Sequence, residues 1–342
     1  MGEIRDYNLS IVGFGNVGRA LTRLLVRKRE ELAQCHGIEW RITGVASRRL
    51  GWIASATGFD PEVLLDEARL ASLKPTAHSV DEWLAQAQTD VLFEATSLNR
   101  NDGQPAITHI RAALDHGAHA ISANKGPVVF AHDELRALAE SRRKAFLFES
   151  AVMDGVPIFS LFRETLPAVR VLGFRGVLNA TTNIVLDGME SGLDLKQAVA
   201  KAQEMGIAES DPTDDLEGWD AAVKVAALTT VILGHPIKLA DIERQGIMQL
   251  SPAQVQAARR GGMPFKLVCS VRRKGNGVVA SVKPEQVSLT SPLARIDGGS
   301  SYVEFELDIL PGLGITERDG NLDTTAYGML ADFIRAVSAG GK

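Results

Sequence analysis

The chain has 342 residues, more than the usual ~100–200 of one domain, so two domains are expected. Hydrophobic residues make up 45% and charged residues 23%, an ordinary globular composition, and the net charge of -5 argues against nucleic acid or an anionic membrane as partner. Cys35 and Cys269 are the two cysteines, far apart and in no Cys/His cluster, which points to a reduced, cytoplasmic protein without structural zinc. The opening M-G-E-I-R-D-Y lacks the basic flank and apolar run of a signal peptide, and no stretch nears the ~18 uncharged apolar residues of a membrane span.

Asn8 to Val12 reads as a short apolar strand running into Gly13-Phe14-Gly15-Asn16-Val17-Gly18. A helix pattern follows, with Val17, Leu21, Leu24 and Leu25 on one stripe. This is G-x-G-x-x-G between a strand and a helix, the setting it requires. The first glycine permits the tight turn, the second lets a pyrophosphate reach the backbone, and the third lets helix and strand pack closely. Gly13, Gly15, Asn16, Val17 and Gly18 are therefore cofactor-binding candidates, with the phosphates at the helix N-terminus. The second strand, Trp40 to Ala46, ends in Ser47-Arg48-Arg49 instead of an acid for the ribose 2′-hydroxyl. A hydroxyl and two guanidinium groups suit a 2′-phosphate, so NADP is preferred over NAD.

Residues 51–89 read as helices and loops. Asp90 to Ala95 is a buried strand followed by Thr96-Ser97, Gly103 to His116 a helix, and Ala118 to Ala123 a strand followed by Asn124-Lys125. In doubly wound parallel sheets ligands bind outside the carboxyl ends of the strands, so Thr96, Ser97, Asn124 and Lys125 join the glycine loop as candidates. A helix over Asp133 to Arg142 and a strand over Ala145 to Ser150 complete a Rossmann-type α/β domain over 1–150.

A second domain is expected over 151–321, because the regular alternation ends near residue 150. Pro157 opens a helix, Ile158 to Leu166, and Val169 to Leu178 is a strand ending in Asn179-Ala180-Thr181-Thr182-Asn183. Asp194 caps a helix, with Gln197 three residues on, that Gly206 closes. In the loop after it, Glu209, Asp211, Asp214 and Asp215 surround Pro212. The next helix is apolar nearly all round yet carries Asp220 and Lys224 on one face, a charge pair costly to bury unless something uses it. Gln254 to Gly262 is a basic helical turn; Phe265 to Arg272, Gly277 to Lys283 and Ser301 to Leu310 are strand-like. Tyr302, Glu304, Glu306 and Asp308 alternate onto a wet face, and Pro311-Gly312-Leu313-Gly314 is a turn. The final helix, within 322–340, is expected to return to the nucleotide domain.

These segments resemble the homoserine dehydrogenase family. The resemblance rests on G-F-G-N-V-G (13–18), S-A-N-K-G-P (122–127), E-S-A-V-M-D-G-V-P (149–157), G-V-L-N-A-T-T-N (176–183) and G-I-A-E-S-D-P-T-D-D-L-E-G-W-D-A-A-V-K (206–224). It implies a Rossmann domain joined to a mixed α/β catalytic and dimerisation domain, a homodimer, and reversible reduction of aspartate 4-semialdehyde to homoserine with NADP or NAD. The short chain end implies no regulatory domain of the ACT type. The resemblance makes Lys125 and Lys224 the two active-site lysines and puts Glu209, Asp214 and Asp220 at acidic substrate-site positions, with Asp215 beside them. It also implies a monovalent cation, Na+ or K+, on main-chain carbonyls of Glu149, Val152, Asp154 and Val156. Ala180 stands where the family usually has glycine, and Asp154 where it has a small residue.

The residue types suit the reaction independently. Carbonyl reduction needs a proton for the developing alkoxide, which a lysine ammonium can stabilise and supply. An amino-acid substrate needs acids for its ammonium, available in the acidic loop, and a cation with hydroxyl donors for its carboxylate, available in a lysine with Thr181 and Thr182. Lys224 oriented by Asp220 is read as proton relay, and Lys125 as substrate-binding with a share in proton transfer. Two alternatives stand beside this: a dehydrogenase of another small amino or hydroxy acid, and a non-catalytic NADP-binding sensor.

Overall fold

The structure is a computed structural model describing residues 4–338. It divides into two compact units, the chain up to Ser160 together with the segment from Asn321 onward, and Leu161–Gly320. The expected terminal helix is present over Leu322–Ser338, and its last expected positions, 339 and 340, lie outside the described residues.

The first unit holds β1 (Arg5–Val12), β2 (Ile38–Ser47), β3 (Gly51–Phe59), β4 (Val91–Glu94), β5 (His119–Ser122) and β6 (Phe146–Leu147), in the order β3-β2-β1-β4-β5-β6. All neighbours are parallel except β3, which runs antiparallel to β2. Period-two alternation on β1 puts helices on both faces. Leu9 and Ile11 pack with Leu21 and Leu25 of the helix Asn16–Arg27 and with Met329 and Phe333 of the terminal helix. Val12 and Leu92 pack on the other side with Trp83, Leu84 and Ala113.

Four details differ from expectation. β3 falls where helices and loops were read: as an edge strand it is held by pairing with β2, and Ile53 alone of its residues is buried. The helix expected from Asp133 begins at Lys125 and runs to Arg142, with a kink at Ala131. The strand expected over Ala145–Ser150 shortens to Phe146–Leu147, and the helix expected over Ile158–Leu166 forms from Phe159 to Thr165, with Leu161–Thr165 as a wide π-helical turn. The buried carboxylate of Glu149 meets the start of that helix. It accepts from the Phe159 and Ser160 amides at 2.7 and 2.9 Å and from Arg335 Nη1 at 3.3 Å. Asp332 completes the network, accepting the Glu149 amide at 2.7 Å and lying 3.2 Å from Arg335. Each buried charge here has a partner, the condition under which burial is tolerated.

The second unit holds β7 (Val171–Val177), β8 (Glu243–Arg244), β9 (Phe265–Lys274), β10 (Gly277–Gln286), β11 (Ser301–Leu307) and β12 (Leu313–Glu317), in the order β12-β11-β7-β9-β10-β8. Every pair is antiparallel except β10 with β8. The turn expected at 311–314 ends earlier than read, since Leu313 and Gly314 already pair with Phe305 and Glu304. Glu304, Glu306 and Asp308 are exposed as expected, but Tyr302 is buried against Val177, Val268 and Leu293. The Asp194–Gln197 capping box forms, and Gly206, at φ +71°, closes that helix.

Candidate functional site

In the first unit the glycine loop leaves the carboxyl end of β1. Gly13 has φ +83°, and a Cβ there would lie 2.4 Å from the backbone of Ala95. Gly18 sits against Ile11 and Phe14, where a Cβ would meet side chains at 3.2 and 3.3 Å. Gly15 differs: its Cβ would meet only the Gly13 carbonyl oxygen, at 3.9 Å. No side chain caps the helix beginning at Asn16, so its first amides face outward as donors. An open glycine backed by uncapped amides fits a pyrophosphate, as the spacing predicts. At the end of β2, Ser47 accepts from the Leu50 amide at 3.2 Å, and this turn leaves Arg48 and Arg49 exposed.

Parallel pairing brings the ends of β4 and β5 to the same edge: Ala95 donates to Val12 and Ala123 to Glu94. Asn124 caps the helix that begins at Lys125, accepting from the Gly126 amide at 2.9 Å, while its Nδ2 donates to the Thr96 carbonyl at 3.0 Å and the Ser97 carbonyl at 3.4 Å. Thr96, Ser97, Asn124 and Lys125 are thus one local assembly. Beneath it lies Glu94, fully buried, which the sequence reading passed over as part of an apolar strand. Burial pushes its carboxyl up to about 7, against hydrogen bonds from Thr96 and Ser122 that favour the charged form.

In the second unit the helix Trp219–Ile232 is buried along Ala221–Val223 and Val225–Thr230, as its composition predicts. Asp220 and Lys224 are not fully buried; they keep 21% and 17% side-chain exposure and pair at 3.2 Å, so a solute can reach them. Lys224 Nζ also donates to the Leu178 carbonyl at 2.6 Å. Asn179 links the rest. Its Oδ1 accepts from the Thr182 amide at 2.9 Å, capping the helix Ala180–Glu190, and its Nδ2 donates to Asp215 at 2.6 Å and Asp220 at 3.1 Å. Thr181 also hydrogen-bonds Asp215, and the Thr182 hydroxyl donates to the Asn179 carbonyl at 3.0 Å. Burial and the neighbouring Asp220 charge raise the Asp215 pKa, partly offset by Asn179, Thr181 and Lys224. The Cys269 thiol beside this group is pushed up to about 12, first of all by burial, and so stays protonated.

Asp215, Asp220, Lys224, Thr181 and Thr182 are therefore brought together, joined by Asn179 and the Leu178 carbonyl, which were not singled out from sequence. Asn179 could have been: an Asn before a helix that opens A-T-T-N is an N-cap signal. Ala180 occupies the first turn of that helix. Glu209 and Asp214 are exposed on the loop and on the short helix Thr213–Leu216. Of the four residues assigned to a cation, Glu149 uses its carboxylate in the network described above. Asp154, at φ +47°, uses its own to accept the Thr324 and Thr325 hydroxyls, each at 2.9 Å. The Val156 carbonyl accepts the Ile158 amide at 2.8 Å, and Val152 is buried. Among the described residues no group of three or more His, Cys, Asp or Glu could hold a metal, and no helix is long and apolar enough to cross a membrane.

Two family models match the chain. The family described as "Homoserine dehydrogenase, NAD binding domain" matches residues 13–149, and the family "Homoserine dehydrogenase" matches residues 157–334. The chain is 35% identical to the NAD(+)-dependent homoserine dehydrogenase of Pseudomonas canavaninivorans, over 96% of each chain. It is 30% identical to the homoserine dehydrogenase of Methanocaldococcus jannaschii, over 98% of this chain and all of the relative (100%). A solved hyperthermophilic archaeal homoserine dehydrogenase mutant in complex with NADPH aligns with a TM-score of 0.83 and 29% identity, covering 98% of each chain. The chain belongs to the homoserine dehydrogenase family and is an NAD(P)-dependent oxidoreductase acting on a CH–OH group.

Proposed function

We propose that this chain interconverts L-homoserine and L-aspartate 4-semialdehyde, with Lys224 relaying the proton and Lys125 binding substrate. The observation that carries the reading is the Asp220–Lys224–Leu178 geometry. A lysine nitrogen held by a carboxylate and a carbonyl has a fixed position from which to pass a proton. A bound nicotinamide dinucleotide would supply or accept the hydride at the carbonyl carbon. Asp215 and Asp220 set two carboxylates against one amine around Lys224, and after burial this surplus raises the Asp215 pKa. A substrate ammonium would neutralise it, so Asp215 serves as ammonium acceptor with Glu209 and Asp214 on the adjoining loop. Thr181 and Thr182, with a lysine, serve the substrate carboxylate.

The cofactor rests on Gly13, Gly15, Asn16, Val17 and Gly18, with Thr96, Ser97 and Asn124 beside it. Exposed Arg48 and Arg49 after Ser47 favour the 2′-phosphate of NADP. A monovalent cation on the carbonyls of Glu149, Val152, Asp154 and Val156 belongs to the same reading. What supports it is the left-handed turn at Met153–Asp154, pinned by Thr324 and Thr325, which fixes that stretch of backbone. Exposed Ile309 and Leu310 support a homodimer, and the unpaired thiols of Cys35 and Cys269 a cytoplasmic setting. The test is a steady-state assay with L-homoserine and NADP, with NAD in parallel, beside a panel of other hydroxy amino acids and hydroxy acids. Turnover of a panel member without turnover of homoserine would overturn the substrate assignment.

A further inference from the structure

We propose that Glu94 is a positioning residue for this reaction, fixing Asn124 and the start of the Lys125 helix through Thr96 and Ser122. The inference rests on the reading of Asn124 and Lys125 as cofactor and substrate contacts. Glu94 Oε1 accepts from the Thr96 amide at 2.9 Å and from the Thr96 hydroxyl; Oε2 accepts from the Ser122 hydroxyl at 3.0 Å. Both donors then touch Asn124. The Ser122 oxygen accepts the Asn124 amide at 3.1 Å, and the Thr96 carbonyl accepts the Asn124 side chain at 3.0 Å. Asn124 in turn caps the helix at Gly126, so the chain of contacts ends on the turn that carries Lys125.

Packing leaves this arrangement little freedom. Gly126 faces Gly103 so closely that a Cβ on either would lie within about 3.0 Å of the other's backbone or, from Gly103, still nearer the Ile107 side chain. A fully buried carboxylate is an expensive way to hold a loop, since burial works against its charge. Its partners are uncharged donors, and what it gains over a neutral residue is two acceptor oxygens aimed at opposite sides of one residue, Asn124. Glutamine has the same shape but only one such oxygen. In Glu94→Gln the carboxamide oxygen can keep Thr96, while its NH2 faces Ser122 and forces that hydroxyl proton toward the Asn124 carbonyl, 3.3 Å away.

The experiment compares Glu94→Gln, Asn124→Ala, Lys125→Ala and the double variant Glu94→Gln/Asn124→Ala in thermal unfolding, NADPH titration and homoserine kinetics. Glu94→Gln is expected to keep the wild-type unfolding midpoint or exceed it. It lowers kcat and weakens NADPH binding by about tenfold, the scale of one charge-assisted hydrogen bond. The double variant is expected to match Asn124→Ala alone, because both act through one residue. Wild-type kinetics for Glu94→Gln while Asn124→Ala or Lys125→Ala is impaired would overturn the positioning role and leave the site reading standing. Effects that simply multiply in the double variant would overturn it too. If Asn124→Ala and Lys125→Ala are themselves unimpaired, the reading of the site falls and takes this inference with it.

Discussion

The glycine loop makes the most discriminating expectation, because alanine at two of its positions should fail for opposite reasons. At Gly13 a methyl adds left-handed strain of about 1–2 kcal/mol, and its Cβ would be placed 2.4 Å from Ala95 carbonyl atoms and 2.5 Å from the Thr96 amide. These are backbone atoms tied into strand ends, so no rotamer change relieves them. Gly13→Ala is expected to destabilise the protein by more than about 3 kcal/mol. At Gly15 φ is −111°, and the nearest atom to an added Cβ is 3.9 Å away. Folding should tolerate Gly15→Ala within about 1 kcal/mol. The methyl instead occupies the face where a pyrophosphate approaches the helix N-terminus, and losing about 1.4 kcal/mol or more there weakens binding at least about tenfold. Urea unfolding gives the stabilities, and fluorescence titration with NADPH gives the affinities. If Gly15→Ala binds NADPH as wild type does, or if Gly13→Ala is as stable as wild type, the assignment of roles within the loop is wrong.

Other expectations follow from the electrostatics. Burial lowers the His109 pKa to about 4 from 6.5, so the neutral ring stabilises the fold above pH ~6.5, and that stability is lost as pH falls through about 4. At ~1.36 kcal/mol per pH unit the loss approaches roughly 3 kcal/mol, and His109→Phe, which keeps a ring against Trp52, should lack that acid limb. Identical acid denaturation of the two proteins would refute this. Asp215→Asn removes a carboxylate whose pKa the fold raises. It should therefore unfold no more easily than wild type at neutral pH, while KM for homoserine rises about tenfold or more. An unchanged KM would remove Asp215 from ammonium binding. Replacing Arg48 and Arg49 together with Ala should lower the preference for NADP over NAD by about tenfold, measured as the ratio of kcat/KM values; no change would place the 2′-phosphate elsewhere.

What could be read from the sequence was whatever is set by near neighbours in the chain. The strand, G-F-G-N-V-G and the following helix lie within residues 8–27, and each glycine meets the constraint its place in the motif implies. The helix Trp219–Ile232 declared its burial through composition, and the Asp220–Lys224 pair through its spacing. β3 and β12 were not legible, because edge strands are held by pairing with a partner and carry no continuous apolar run. The Glu149 carboxylate that takes the Phe159 and Ser160 amides at the start of the Ile158–Leu166 helix was not legible, a contact decided by folding. Glu94 and Asn179 belong to the same class. Their roles depend on Ser122 and on Asp215 and Asp220, tens of residues away, and a lone acid ending a strand carries no local mark of such a partner.

Proton relay by Lys224 is tested most directly by replacing it with alanine and measuring homoserine oxidation beside NADPH binding on the same preparation. The ammonium lies among Asp220, the Leu178 carbonyl and Asn179-linked Asp215, all in the second unit, whereas the glycine loop is built in the first. Turnover is expected to fall by about 10²–10⁴-fold, the range of a lost general acid, with NADPH affinity within about twofold of wild type. Wild-type turnover in Lys224→Ala would contradict the assignment.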